Sequence, residues 1–155
     1  MACQTPILTA MPGFTNIVVC VDDSPGAQRA LADARTLRAD GGHLSLLHVI
    51  PPPSFLTELA AGLGGGIIQD QTPLIEIAEQ WIATMANPDE TPVVLEGNPP
   101  NTVAHWAREH EADAIVVARH GGPERTVLGG FSQKIVGIAP CSVLLVHHEG
   151  TQHTP

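Results

Sequence analysis

NIVVCVDDSPGAQRAL, residues 16–31, passes from strand to helix with one sharp break between them. NIVVCV, residues 16–21, is a β-branched run of the kind that fills a buried strand. The run stops at Asp22-Asp23-Ser24-Pro25, where Ser24 suits a helix N-cap and Pro25 the first helical position. Ala27, Ala30, Leu31, Ala34 and Leu37 then recur at helical spacing, and Gly41-Gly42 is expected to end the helix.

The same alternation continues along the chain. HLSLLHVI (43–50) reads as a second strand, halted by Pro51-Pro52-Pro53. Residues 51–72, with Gly64-Gly65-Gly66, are the least regular part and receive no assignment. Thr72-Pro73 opens a helix whose apolar face carries Leu74, Ile77, Ala78, Trp81, Ile82 and Met85. PVVLE (92–96) is a third strand, and Asn98-Pro99 starts a helix using Val103, Trp106, Ala107 and His110. ADAIVVA (112–118) and SVLLVHH (142–148) complete five strands. Strand–helix alternation with continuously apolar strands implies an α/β three-layer sandwich, a mostly parallel five-stranded sheet covered by helices on both faces. One domain is expected over 14–148, after a loose lead-in (1–13) and before a short tail (149–155).

A formal net charge of −9, with Lys134 the single lysine, opposes nucleic-acid and anionic-lipid binding. Apolar runs stay well short of the roughly 18 residues of a membrane span. The first residues lack the basic and apolar regions of a signal peptide. Cys3, Cys20 and Cys141 are odd in number and widely spaced, which fits a reducing, cytoplasmic setting.

Ligands of such sheets collect beyond the carboxyl ends of the strands. Two distinctive features lie on that rim: the Asp22-Asp23-Ser24 turn and the loop ARHGGPERTVLGGFS, residues 118–132. Gly121, Gly122, Gly129 and Gly130 can turn backbone N–H groups inward, and the following helix offers its amino end and Ser132. Arg119 and Arg125 bring positive charge. Together these form an anion cradle; the alternative is a plain connection with the arginines solvated or paired to Glu124. Neither G-x-x-x-x-G-K-[ST] nor G-x-G-x-x-G occurs, which disfavours a P-loop enzyme or a dinucleotide dehydrogenase. Asp22 and Asp23 are adjacent and make a poor acid/base dyad; one can receive hydrogen bonds from a ligand, while Asp23 and Ser24 can cap the helix. The eight histidines and three cysteines show no zinc spacing, Trp81 and Trp106 read as packing residues, and no serine has a base partner.

NIVVCVDDSPGAQRAL resembles the opening of the universal stress protein family, whose turn reads V-D-x-S. LLHVI, LEGNPPNTVAHWA, ADAIVVARHG and FSQKIVGIAPCSVLLVHH resemble its later segments in the same order, over residues 14–148. The resemblance implies a sheet order of 3-2-1-4-5 and a homodimer joined along the last strand through Val143, Leu144, Leu145 and Val146. It also implies an adenine nucleotide, ATP or AMP, with or without Mg2+, and at most slow ATP hydrolysis. Asp22 would face base or ribose, Val49 would read the adenine edge through its backbone, and Gly97 would close strand three. The family loop pattern G-x2-G-x9-G-[ST] falls on Ala118, Gly121, Gly129 and Gly130, followed by Ser132, with Arg119 alongside. Here the first glycine is alanine, the hydroxyl position is glycine, and the loop is two residues shorter. The alternative is therefore a dimeric interaction module of the same family that binds no nucleotide. A flavodoxin-like redox domain is disfavoured, because the first strand–helix turn lacks a hydroxyl-rich phosphate loop.

Overall fold

The computed structural model describes residues 13–54, 58, 62–64, 70–119 and 130–147. The described elements run β1 (Phe14–Cys20), α1 (Pro25–Leu37), β2 (Arg38–Ile50), α2 (Thr72–Met85), β3 (Thr91–Glu96), α3 (Pro99–Glu109), β4 (Ala114–Ala118), α4 (Gly130–Ile138) and β5 (Ser142–Val146). All neighbouring strands pair in parallel, in the order β3-β2-β1-β4-β5. The chain winds outward from β1 to β3, crosses back over the sheet, and continues through β4 to β5. This reversal puts helices on opposite faces.

Alternating side chains divide the core accordingly. Ile17, Val19, Leu44, Leu46, Ala114 and Val116 pack under Ala27, Ala30, Leu31 and Ala34 of α1 and Ile82 of α2. Val18, Leu47, Ile115 and Val117 point the other way, under Val103, Ala104 and Ala107 of α3 and Ile135 of α4. The expected three-layer sandwich and strand order are both present.

Polar anchors lock the lower end of the sheet. The Asp113 carboxylate receives the Thr15 N–H at 2.7 Å, the Thr15 hydroxyl at 2.8 Å and the Asn16 N–H at 3.0 Å. This joins the start of β1 to the segment entering β4.

Several boundaries differ from the expectation. Gly41-Gly42 does not end the first helix. Arg38 is already extended (φ −69°, ψ 129°) as its C-cap, and both glycines lie inside β2. There the pairing jumps from Phe14↔Arg38 to Asn16↔His43, and Gly41 adopts φ 74° to absorb the extra residues. β1 starts earlier, at Phe14, and ends at Cys20, leaving Val21 just beyond it. β4 begins at Ala114 because Asp113 is committed to β1, and β5 ends at Val146. On α2, Ala78 and Ile82 are buried, but Leu74 and Ile77 are 42% and 63% exposed rather than in the core. His110 is the C-cap of α3 rather than part of its buried face.

Candidate functional site at the rim of the sheet

The strand order reverses between β1 and β4, and a cleft of about 240 Å3 opens at their carboxyl ends. Cys20, Val21 and Asp22 line one side, and Leu47, His48 and Val49 of β2 line the next. Pro99 and Val103 of α3, Ala118 of β4 and Phe131 of α4 close it. The cleft is mostly apolar, with Asp22 and His48 as its charged or titratable polar members.

Asp22 is set by the turn that follows β1. Its Oδ1 receives the Ser24 N–H at 2.9 Å, while Ser24 Oγ caps α1 by receiving the Ala27 N–H at 3.2 Å. Serine capping thus fixes the helix and the aspartate together. Burial, reinforced by the Asp22 charge, pushes the Cys20 thiol up to about 12. Cys20 therefore serves as a neutral wall, since the thiolate is the nucleophilic form.

Of the site residues expected from the sequence, Asp22, Val49 and Ala118 meet around this cleft. Gly97 lies outside its lining. Its N–H donates to the Ile50 carbonyl at 3.0 Å, and its φ of 143° turns β3 toward α3. A Cβ there would stand 2.5 Å from Thr102 Oγ1, so glycine is demanded on two counts. The Arg119 N–H donates to the Val146 carbonyl at 2.8 Å, which places its backbone in the β4–β5 junction. Gly130 begins α4, and Ser132, one residue beyond the cleft-lining Phe131, is only 1% exposed. Gly121 and Gly129, with Gly122, Glu124 and Arg125, lie outside the described residues.

His48 and Phe131 were not singled out by the sequence. His48 Nδ1 is 2.9 Å from the Val21 carbonyl oxygen, and its ring meets Trp81 edge-on, with centroids 5.3 Å apart at 75°. A histidine inside an apolar strand carries no local sign of such a contact. Phe131 follows a glycine pair, where it reads as an ordinary helix residue. Trp106, expected to pack, stacks on His110 at 3.8 Å and 13°.

Two further depressions flank the rim and the sheet edge. One of about 360 Å3 lies on the α2 side, between Asp22, Asp23 and His48 and the exposed Leu74 and Ile77. Another of about 480 Å3 runs between Leu37 of α1 and Leu144, Leu145 and Val146 of β5. Among the described residues no three His, Cys, Asp or Glu side chains converge as metal ligands, and no helix is long and apolar enough to cross a membrane.

Residues 13–147 match the model of the universal stress protein family. A curated Thermus aquaticus protein, the universal stress protein in the QAH/OAS sulfhydrylase 3' region, is 31% identical over 139 residues. The match spans 86% of this chain and 98% of that protein. Among solved structures, the universal stress protein UspA of Lactobacillus plantarum superposes with a TM-score of 0.59 at 27% identity, covering 88% of this chain and 99% of that one. A universal stress protein in complex with cAMP has a TM-score of 0.58 at 21% identity, covering 87% and 98% of the two chains. The Archaeoglobus fulgidus universal stress protein in complex with dAMP has a TM-score of 0.53 at 22% identity, covering 84% and 96%. The last two show likeness of fold. With the V-D-x-S turn, the strand order and the rim cleft in place, the chain belongs to the universal stress protein family.

Proposed function

We propose that this chain is a cytoplasmic, dimeric stress-response protein whose rim cleft binds an adenine nucleotide, ATP or AMP, as a regulatory ligand. The observation that carries the reading is the cleft itself. It opens where the strand order reverses, and one carboxylate stands in a mostly apolar wall beside His48. Such a wall suits a flat base, and the Asp22 carboxylate suits the hydroxyls of a ribose or the amine of a base. The backbone of Val49 reads the adenine edge. The amino end of α4, from Gly130, supplies N–H groups and partial positive charge to phosphate oxygens. The family loop pattern assigns Gly121, Gly129, Arg119 and Ser132 to the same phosphates. Similar structures hold cAMP and dAMP, which supports an adenine nucleotide as the ligand class. Mg2+ would accompany a triphosphate. With no Walker lysine in the sequence, hydrolysis is slow at most.

The dimer forms along β5, an end of the sheet with no further strand beside it among the described residues, with the exposed Leu145 and the groove beside Leu37 supporting it. Free thiols at Cys20 and Cys141 support a reducing compartment.

A second reading, an interaction module without nucleotide, has two structural points in its favour. Ser132 is closed off and Ala118 presents a side chain where the family loop has glycine. Calorimetric titration of nucleotide-free protein with ATP and AMP, with and without Mg2+, separates the two. Saturable heat that Asp22→Asn weakens is expected; no heat at millimolar ligand overturns the nucleotide reading.

A further inference from the structure

We propose that His48 is a positioning residue of the rim cleft: its Nδ1–H grips the Val21 carbonyl and thereby aims Asp22. The inference rests on the nucleotide reading of this cleft and adds to it the residue that holds the ligand-facing carboxylate in place.

The chemistry of the contact fixes the tautomer. A carbonyl oxygen only accepts, so the ring nitrogen 2.9 Å from it carries the proton. The contact falls where main-chain pairing ends. Cys20↔Leu47 is the last paired position of β1 with β2, and Val21 lies one residue past it. Its N–H still reaches the Leu47 carbonyl at 3.0 Å. Its carbonyl is taken by a side chain instead, that of the very next β2 residue. Val21 is thus held by consecutive residues of one strand, through its N–H and through its C=O. The N–H bond fixes the Cys20–Val21 peptide, and the bond from His48 fixes the Val21–Asp22 peptide, from which Asp22 departs into the turn capped by Ser24.

The imidazole is itself braced. Trp81 of α2 meets it edge-on, so β2, α2 and the β1–α1 turn are joined at one ring. His48 and Asp22 also line both rim depressions, forming the wall between them. A leucine of similar bulk would keep the packing and remove the donor from a carbonyl whose residue is almost wholly buried. An asparagine would keep a donor, because its side-chain amide nitrogen can occupy the place of ring Nδ1.

These relations define the test. AMP and ATP affinities are measured by calorimetry for the wild type, His48→Leu, His48→Asn, Asp22→Asn and the His48→Leu/Asp22→Asn double variant, all below their unfolding temperatures. His48→Leu is expected to weaken binding about five- to tenfold, the size of one lost hydrogen bond. His48→Asn restores it to within about twofold, and His48→Leu costs nothing further once Asp22→Asn is present. Nitrogen NMR of the wild-type protein at neutral pH is expected to show His48 protonated at Nδ1. An Nε2–H tautomer, an unchanged affinity in His48→Leu, no rescue by asparagine, or an undiminished loss in the Asp22→Asn background each overturns the proposal. A wild-type protein that binds neither nucleotide overturns the nucleotide reading and this inference with it. A wild-type protein that binds, beside an unaffected His48→Leu, overturns this inference alone.

Discussion

Arg35 of α1 and Glu90, in the turn before β3, are joined by two parallel hydrogen bonds of 2.7 Å, Nε to Oε1 and Nη2 to Oε2. The Glu90 side chain has no exposed area and also receives the Asn87 backbone N–H at 2.8 Å. Arg35 further donates to the Met85 carbonyl at 2.8 Å. One ion pair thus ties α1 to the end of α2 and the entry to β3. The Arg35 hydrogen bonds hold the Glu90 carboxyl below its ordinary 4.5, against the opposing effect of burial and with help from Asn87.

Replacing that carboxylate by an amide keeps one acceptor oxygen but removes the charge and sets an NH2 group against the other donors of Arg35 or Asn87. Because Arg35 is one-third exposed, Glu90→Gln is expected to cost about 2–3 kcal/mol at pH 7, less than breaking a fully buried pair. The sign with pH follows from the depressed value. The stabilisation is complete above the unfolded value of 4.5 and disappears as pH falls through the lower folded value. Urea unfolding of both proteins at pH 7 and at decreasing pH below 4.5 should show the gap closing. A gap of constant size would show that the carboxylate's charge is not its source.

Gly97 gives a prediction with two separable parts. Gly97→Ala must strain a φ of 143° and push a methyl group against Thr102 Oγ1, for a cost of about 2–4 kcal/mol. Thr102→Ala removes the second problem and leaves the first. In that background Gly97→Ala should cost less, about 1–2 kcal/mol, but not nothing. Denaturant midpoints of the four proteins measure both terms. Full recovery in the double variant would mean that the backbone angle contributes no strain.

Much of the architecture was legible because the signals were local. Three of the four described helices, α1, α2 and α3, open with a proline in the first turn, at Ser24-Pro25, Thr72-Pro73 and Asn98-Pro99. Each strand holds a short, mostly apolar run, although β2 extends well before its own, back to Arg38. Where a signal had two uses, the reading failed. Gly41-Gly42 looked like a helix stop, but its left-handed residue serves a strand irregularity, because Arg38 had already left the helix. Leu74 and Ile77 share the period of the α2 core face yet line the depression beside His48, since periodicity locates a face and not what covers it. The strand order came through family resemblance, because pairing between distant strands leaves no local trace. His48 stayed hidden for a similar reason: its partner is a carbonyl 27 residues away.

The two described thiols give a chemical test of the cleft wall. Cys20 is raised to about 12 by burial and then by Asp22, and Cys141 is raised by burial and then by Asp113. Neither should supply thiolate at pH 7–8. In a Cys3→Ser protein, a thiol reagent such as iodoacetamide should react slowly in the folded state and quickly in urea. Asp22→Asn removes the smaller of the two causes at Cys20, so its labelling should speed up only slightly. Rapid labelling of Cys20 in the folded wild type would mean that the wall is open and the thiol ionises there.

The two edges of the sheet differ in how they meet solvent. β3 carries Pro92, which has no N–H to offer, whereas β5 has no proline and, among the described residues, pairs with β4 alone. Proline on an edge discourages further strand pairing. β5 also displays Leu145 at 37% exposure, with exposed Leu37 along the adjoining groove. Pairing between two copies should therefore run through β5. Leu145→Lys should convert a dimer into a folded monomer with little change in melting temperature, because that side chain is not in the core. Charged residues at both Leu144 and Val146 should do the same at a greater cost in stability, because both also pack against the α1 side of the core. Analytical ultracentrifugation with parallel thermal melts distinguishes lost association from lost folding. If Leu145→Lys and the double variant both remain dimers, the copies meet elsewhere and β5 is not the interface.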